Sequence, residues 1–212
     1  MFKYFFLVIF YPLFAQATGQ EVGNGGKFVL CSDRQYYFYD YVVTVNNQFG
    51  AIQSQLNFKQ SVQQIIRNLQ RLNDPLAIEL QEFMSILYQQ IPGKKYQWFA
   101  QTNLPYLWNP GGDQMLPAQC NKVKKQAALF TAPYADIAYI SYMYDFRLIA
   151  QVQSQKFGDI QVSMLWVHEW LWNHFSIKNF LKLAYFNRLL HSEKMNSITA
   201  MEYSKIKSEL LK

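Results

Sequence analysis

The sequence predicts an α+β fold dominated by helix, and three observations carry that expectation. Apolar residues recur at three- and four-residue steps over residues 61 to 90 and again through the last third of the chain. Short runs rich in β-branched and aromatic residues stand near the start and in mid-chain. The chain is 50% hydrophobic and 17% aromatic, which supplies a substantial core and argues against disorder.

The first 17 residues read as a cleaved signal peptide. Lys3 gives a positive start, Tyr4 to Ala15 is an apolar run, and Ala15-Gln16-Ala17 is a small-x-small exit. The apolar run falls short of the roughly 20 residues that span a bilayer, and no Cys follows the cut to take a lipid. Residues 18 to 212 are expected to form one globular domain. It is exported through the inner membrane to the periplasm or the exterior, with no stable membrane insertion after cleavage.

Thr18 to Gly26 is a polar, Gly-rich arm. Lys27 to Cys31 reads as a short strand and Ser32 to Gln35 as a turn. Tyr36 to Val45 favours a strand, with a buried helix as the alternative that periodicity does not separate. Val62, Ile65, Ile66, Leu69 and Leu72 then give a helix one apolar face. Asp74-Pro75 interrupts it and opens a second helix, which Pro92-Gly93 ends. This makes a helical hairpin of about 61 to 90.

Residues 94 to 121 read as a long irregular connection punctuated by Pro105, Pro110, Gly111, Gly112 and Pro117. Ala127 to Ala132 and Ile137 to Tyr144 are expected strands. The last third is expected to be helical over Asp159–Phe175 and Ile177–Leu190, with a charged tail helix from Ser197.

Two cysteines, Cys31 and Cys120, in an exported chain are most simply a disulfide. It would close a loop of about 90 residues and stabilise the fold by roughly 4 kcal/mol. The formal charge is +6, of which Lys3 in the leader carries one. The lysines form no run of five or six like charges, and export removes the chain from nucleic acid, so no nucleic-acid partner is expected. The partners left are a protein or an envelope glycan. The Tyr36 to Tyr41 run could stack on sugars, although core packing or a dimer surface explains it better. Trp98, Tyr106 and Trp108, on the expected loop, are the better glycan candidates.

One segment looks chemical. Val162 to His174 reads VSMLWVHEWLWNH, with His168 and Glu169 adjacent inside an apolar helix. Burying such a pair is costly unless it is bonded or functional. A Glu in those surroundings titrates high, as general acids and bases do. A zinc-protease helix needs a second His at the fourth position after the first, and Trp172 stands there. His174 lies about 120° round the helix from His168. A zinc site on His168 and His191, or with Asp113, Asp136 or Asp145, would need tertiary folding, so no cofactor is expected. The competing expectation is a buried polar anchor, with His168 or Glu169 bonded to backbone or to Arg188 of the next helix. No nucleophile elbow, phosphate loop or dinucleotide fingerprint is present.

GNGGKFVLC behind a signal peptide, LPAQC about ninety residues on, WVHEWLW in a helix and FNRLLHS after it occur in that order. This pattern resembles a loose group of uncharacterised exported proteins of Bdellovibrio-type predatory bacteria, with Lys27 where that group tends to have Asp. The resemblance implies that Cys31, Cys120, His168, Glu169 and Arg188 belong to one shared framework, and it implies no activity. The expected function is a non-catalytic binding or structural envelope protein. The alternative is a hydrolase whose acid-base or metal site is built on His168 and Glu169.

Overall fold

A computed structural model describes residues 26–43, 49–91, 95–105, 116–120, 123–131, 140–175 and 180–211. The leader, most of the Gly-rich arm, Pro92-Gly93, Tyr106, Trp108, Asp113 and Asp136 lie outside the described residues. The fold is α+β and helix-dominated, with two small three-stranded sheets against a set of helices.

In the first sheet, β1 (Lys27–Leu30) lies between β2 (Tyr36–Phe38) and β4 (Val123–Gln126), antiparallel to both. The second sheet holds β6 (Ile140–Asp145) between β3 (Tyr96–Gln101) and β5 (Ala128–Thr131), parallel to β3 and antiparallel to β5. Only Ala127 separates β4 from β5, so one continuous stretch of chain serves both sheets. The carbonyl of Gly26 accepts from the Ala127 N–H at 2.8 Å and from Gln126 Nε2 at 3.0 Å, which pins the joint.

Two expected elements differ from the sequence reading. Tyr36–Val45 is not one strand: β2 stops at Phe38 and the chain turns into a one-turn helix, α1 (Tyr39–Val42). The turn aims the Asp40 side chain inward, where it is fully buried. The connection over 94 to 121 contains β3, which takes Trp98 into the core at 2% exposure. Trp98 stacks on Tyr142 at 4.7 Å and meets Trp166 edge-on at 5.3 Å. It therefore offers no ring to a glycan.

The helical hairpin follows from its caps. Asn57 and Gln60 form a reciprocal capping box that starts α2 (Phe58–Arg71). Val62, Ile65 and Leu69 give it a buried face. Asp74 Oδ1 accepts from the Leu76 N–H in the first turn of α3 (Leu76–Ser85). Its Oδ2 accepts from Tyr203 and Lys207 of the last helix, α7 (Ala200–Leu211). Arg71 donates to the carbonyls of Met195 and Ile198, just ahead of α7.

Asp145 caps α4 (Phe146–Gln153) through the N–H groups of Arg147 and Leu148. The central element is α5 (Gly158–Phe175), buried around nearly its whole circumference, as its run of Trp, Leu and Val requires. It packs on α2, α4 and α6 (Phe180–His191). Among the described residues no helix is long and apolar enough to cross a membrane.

A Cys31–Cys120 disulfide joins the end of β1 to a short 3₁₀ turn, Ala118–Cys120. Labelling the denatured, unreduced protein with a thiol reagent is expected to find no reactive Cys. Replacing both by Ser is expected to cost about 4 kcal/mol of unfolding free energy, for a crosslink spanning 89 residues. Two labels per chain would disprove the bond.

Candidate functional site

The His-Glu segment becomes the middle of α5, and its two ionisable side chains leave the helix toward different partners. His168 Nδ1 lies 2.7 Å from Asp40 Oδ2. The same oxygen accepts from Asn187 Nδ2 of α6 at 2.7 Å, and Asn187 Nδ2 also reaches the Met164 carbonyl at 2.8 Å. Glu169 Oε1 accepts from the Gly26 N–H, at the entry to β1. His168, Glu169, Asp40 and Asn187 are all 1% exposed or less. A carboxylate thus holds α1, α5 and α6 together, and a second carboxyl group ties α5 to the first strand.

Of the two expected anchors, backbone or Arg188, Glu169 takes the backbone one, at the Gly26 N–H. Arg188 Nη1 donates to the carbonyls of Asp40 and Tyr41 at 2.9 and 2.8 Å, not to the side chain of His168 or Glu169. One helical position earlier, Asn187 faces the α5 side of α6 and takes the role given to the arginine. Arg188 instead satisfies the carbonyls that the one-turn helix α1 leaves open.

His191 is also buried, but it belongs to a separate chain of contacts. Its Nε2 is 3.0 Å from Ser163 Oγ, which is 3.0 Å from Ser61 Oγ of α2. Its Nδ1 is 2.9 Å from the Asn187 carbonyl. Both ring nitrogens are occupied within α2, α5 and α6. His174 pairs with Glu79 at 2.7 Å on the partly exposed side of α5, and Asp145 is spent on its cap. Among the described residues no three His, Cys, Asp or Glu side chains converge as a metal site needs.

The electrostatics follow from burial and from Asp40. Burial pushes the His168 imidazolium down, but the Asp40 charge and hydrogen bond outweigh it, and the net pKa lies above the ordinary value. Burial pushes Glu169 up to about 7, against the downward pull of His168 and of the Gly26 N–H. Burial lowers His191 to about 4, so it is neutral at pH 7. His168 and Asp40 are thus a buried hydrogen-bonded pair in which Asp40 favours the protonated imidazole, and Glu169, raised to about 7, sits at the edge of ionisation near neutrality.

Within the described residues His168 Nε2, Glu169 Oε2, Asp40 Oδ1 and Asn187 Oδ1 have no hydrogen-bond partner. The His168 ring is enclosed by Phe38, Trp172 and Phe180, with centroids at 5.7, 5.8 and 5.5 Å. Chemically this is an Asp-oriented imidazole with an unused far nitrogen, walled in by aromatic rings.

Several participants were not singled out from the sequence. Asp40 was hidden in an aromatic run, Gly26 in a polar arm, and Ser61, Ser163 and Asn187 among helix positions. Asp40 alone had a usable signal, as a lone acid among six aromatic and β-branched neighbours. Gly26 is fixed by space: a Cβ there would strike Leu165 of the core. No protein family, curated protein or solved structure matches the chain.

Replacing Asp40 by Ala leaves His168 Nδ1 and the Asn187 amide without their buried acceptor. Unfolding free energy is expected to fall by about 3 kcal/mol or more, read by denaturant titration. Glu169 is held above its ordinary pKa of 4.5 in the fold, so its burial favours folding at acid pH and works against it as pH rises from about 4.5 to 7. His191 is held below 6.5, so its contribution is lost as pH falls from about 6.5 to 4. The two trends oppose each other over most of one window. In Glu169→Gln only the first is removed. The stability of the variant relative to wild type is therefore expected to rise between pH 4.5 and 7, by on the order of 3 kcal/mol. A difference independent of pH would show that Glu169 does not titrate there.

Proposed function

We propose that this is an exported, non-catalytic binding protein of the cell envelope, acting in the periplasm or outside the cell. The observation that carries the proposal is the commitment of His168 and Glu169 to internal partners at 1% and 0% exposure. General acid–base chemistry requires reach to a substrate proton, and these two groups instead join α1, α5, α6 and β1. They serve as polar anchors that fix the packing of a central helix. Export is supported by the order of charge, apolar run and small-residue exit in residues 1 to 17, and by a disulfide suited to an oxidising compartment. The resemblance to the exported group of predatory bacteria belongs to the same proposal, its shared residues read as a framework for folding.

The hydrolase reading is favoured by one observation: His168 Nε2 has no partner within the described residues while Asp40 orients the ring from Nδ1. Reaching that nitrogen requires displacing the Phe38, Trp172 and Phe180 rings.

The test uses the full-length chain expressed in a bacterial host. The protein is expected in the periplasmic fraction or the medium, with a mature N-terminus at Thr18. It is expected to co-sediment with purified cell-envelope material, and Glu169→Gln is expected to co-sediment equally well. Retention of the leader in the cytoplasm would overturn export. Stoichiometric zinc in the purified protein, or hydrolysis lost in a folded Glu169→Gln variant, would favour the enzyme.

A further inference from the structure

The aromatic run Tyr36 to Tyr41 divides in the fold. Tyr36 and Tyr39 are buried, whereas Tyr37 and Tyr41 remain half-exposed and stack on each other, centroids 6.2 Å apart and planes 12° from parallel. Tyr37 is held in place: its hydroxyl donates to Asp33 Oδ2 at 2.6 Å, and Asp33 Oδ1 accepts from the Gln35 N–H at 3.0 Å. Burial, then the bond to Asp33, raises the Tyr37 phenol to about 12, so it stays a donor. The turn that carries Asp33 is closed by the Arg34 N–H to the Cys31 carbonyl, with Arg34 in the left-handed region at φ 65°.

Beside this tyrosine is a cavity of about 330 Å³ with two walls. One wall is the Cys31–Asp33 turn with Tyr37 and Val42, and the other is Pro117, Gln119 and Cys120. The disulfide is the stitch between them. The lining offers an aromatic ring, hydroxyls from Ser32 and Tyr37, a carboxylate and the amide of Gln119. Among these lining residues there is no cationic side chain. That set disfavours phosphates and other anions, and its polarity disfavours a lipid tail. The volume lies at the small end of ligand cavities, roughly 300–1,000 Å³, and suits a single small ring.

We propose that this disulfide-stitched cavity is a binding site for a neutral saccharide unit. A sugar ring has an apolar C–H face for the tyrosine and hydroxyl edges that both donate and accept. Asp33, Ser32 and Gln119 supply complementary groups at the rim. The proposal deepens the binding function above and rests on it, because it names the chemical class that an envelope-binding protein would take.

The test is an NMR titration of the processed, oxidised protein with glucose and N-acetylglucosamine, and with tetramethylammonium chloride as a cation control. Saturable shifts are expected for the amides of residues 31–37 and 118–120 with at least one sugar, and none with the cation. Gln119→Ala, at an exposed position outside the core, is expected to weaken the affinity about tenfold. Tyr37→Leu is expected to abolish it, while Tyr37→Phe keeps the ring and most of the binding. Binding of the cation alone, sugar-induced shifts elsewhere, or affinity unchanged in both Gln119→Ala and Tyr37→Leu would overturn the assignment. If sugars leave these amides unmoved while the protein still co-sediments with envelope material, the cavity is not the site and the broader binding function stands. If co-sedimentation fails as well, both fall.

Discussion

The buried carboxylate of Asp40 is the interaction on which the central packing depends. It comes from a one-turn helix that has too few residues to be stable alone. It accepts from His168 of α5 and Asn187 of α6, while the backbone around it is held by Arg188. The one-turn helix is thereby tied to the packed pair of α5 and α6. A buried carboxyl group is costly unless it is bonded, and here the His168 ring and the Asn187 amide both bond it. The same arrangement explains why α5 tolerates two ionisable residues among tryptophans. One bonds Asp40, and the other reaches out of the helix to the first strand.

The second constraint is the way Gly26 locks the two sheets together. Its N–H is given to Glu169 and its carbonyl to the β4–β5 joint. A single residue thus links the first strand, the central helix and the strand pair that crosses between sheets. Leu165 occupies the space that a side chain at position 26 would need, so the glycine is demanded by close approach and not by an unusual dihedral angle.

Much of this architecture was legible in the sequence, and the parts that were not share a cause. The hairpin of α2 and α3 was legible because local rules specify it: Leu69 lies on a repeating face and Asp74-Pro75 interrupts the helix. The disulfide was legible because a chain with two cysteines leaves one pairing. The helix carrying His168 and Glu169 was legible as a helix, and its polar pair as one that needs partners when buried. Their partners were not, because Asp40 and Gly26 lie more than a hundred residues away and no periodicity links them. The strand through Trp98 was missed because prolines and glycines after it made the whole region read as loop. The turn at Tyr39 was missed because an aromatic run has no period until one of its members must point inward. Asn187 carries no charge to mark it in the sequence, yet its compact amide fits where α5 and α6 touch.

The disulfide also changes what a break in the backbone means. Cys31 and Cys120 close a covalent ring that contains α1, α2, α3 and β3, while the helices from α4 onward lie outside it. A single cleavage anywhere between the two cysteines leaves the protein one covalently connected molecule. The same cut after Cys120 releases a fragment held only by packing. The oxidised chain therefore carries a protease-tolerant half and a protease-vulnerable half. The central helix on which the first half is anchored belongs to the vulnerable one.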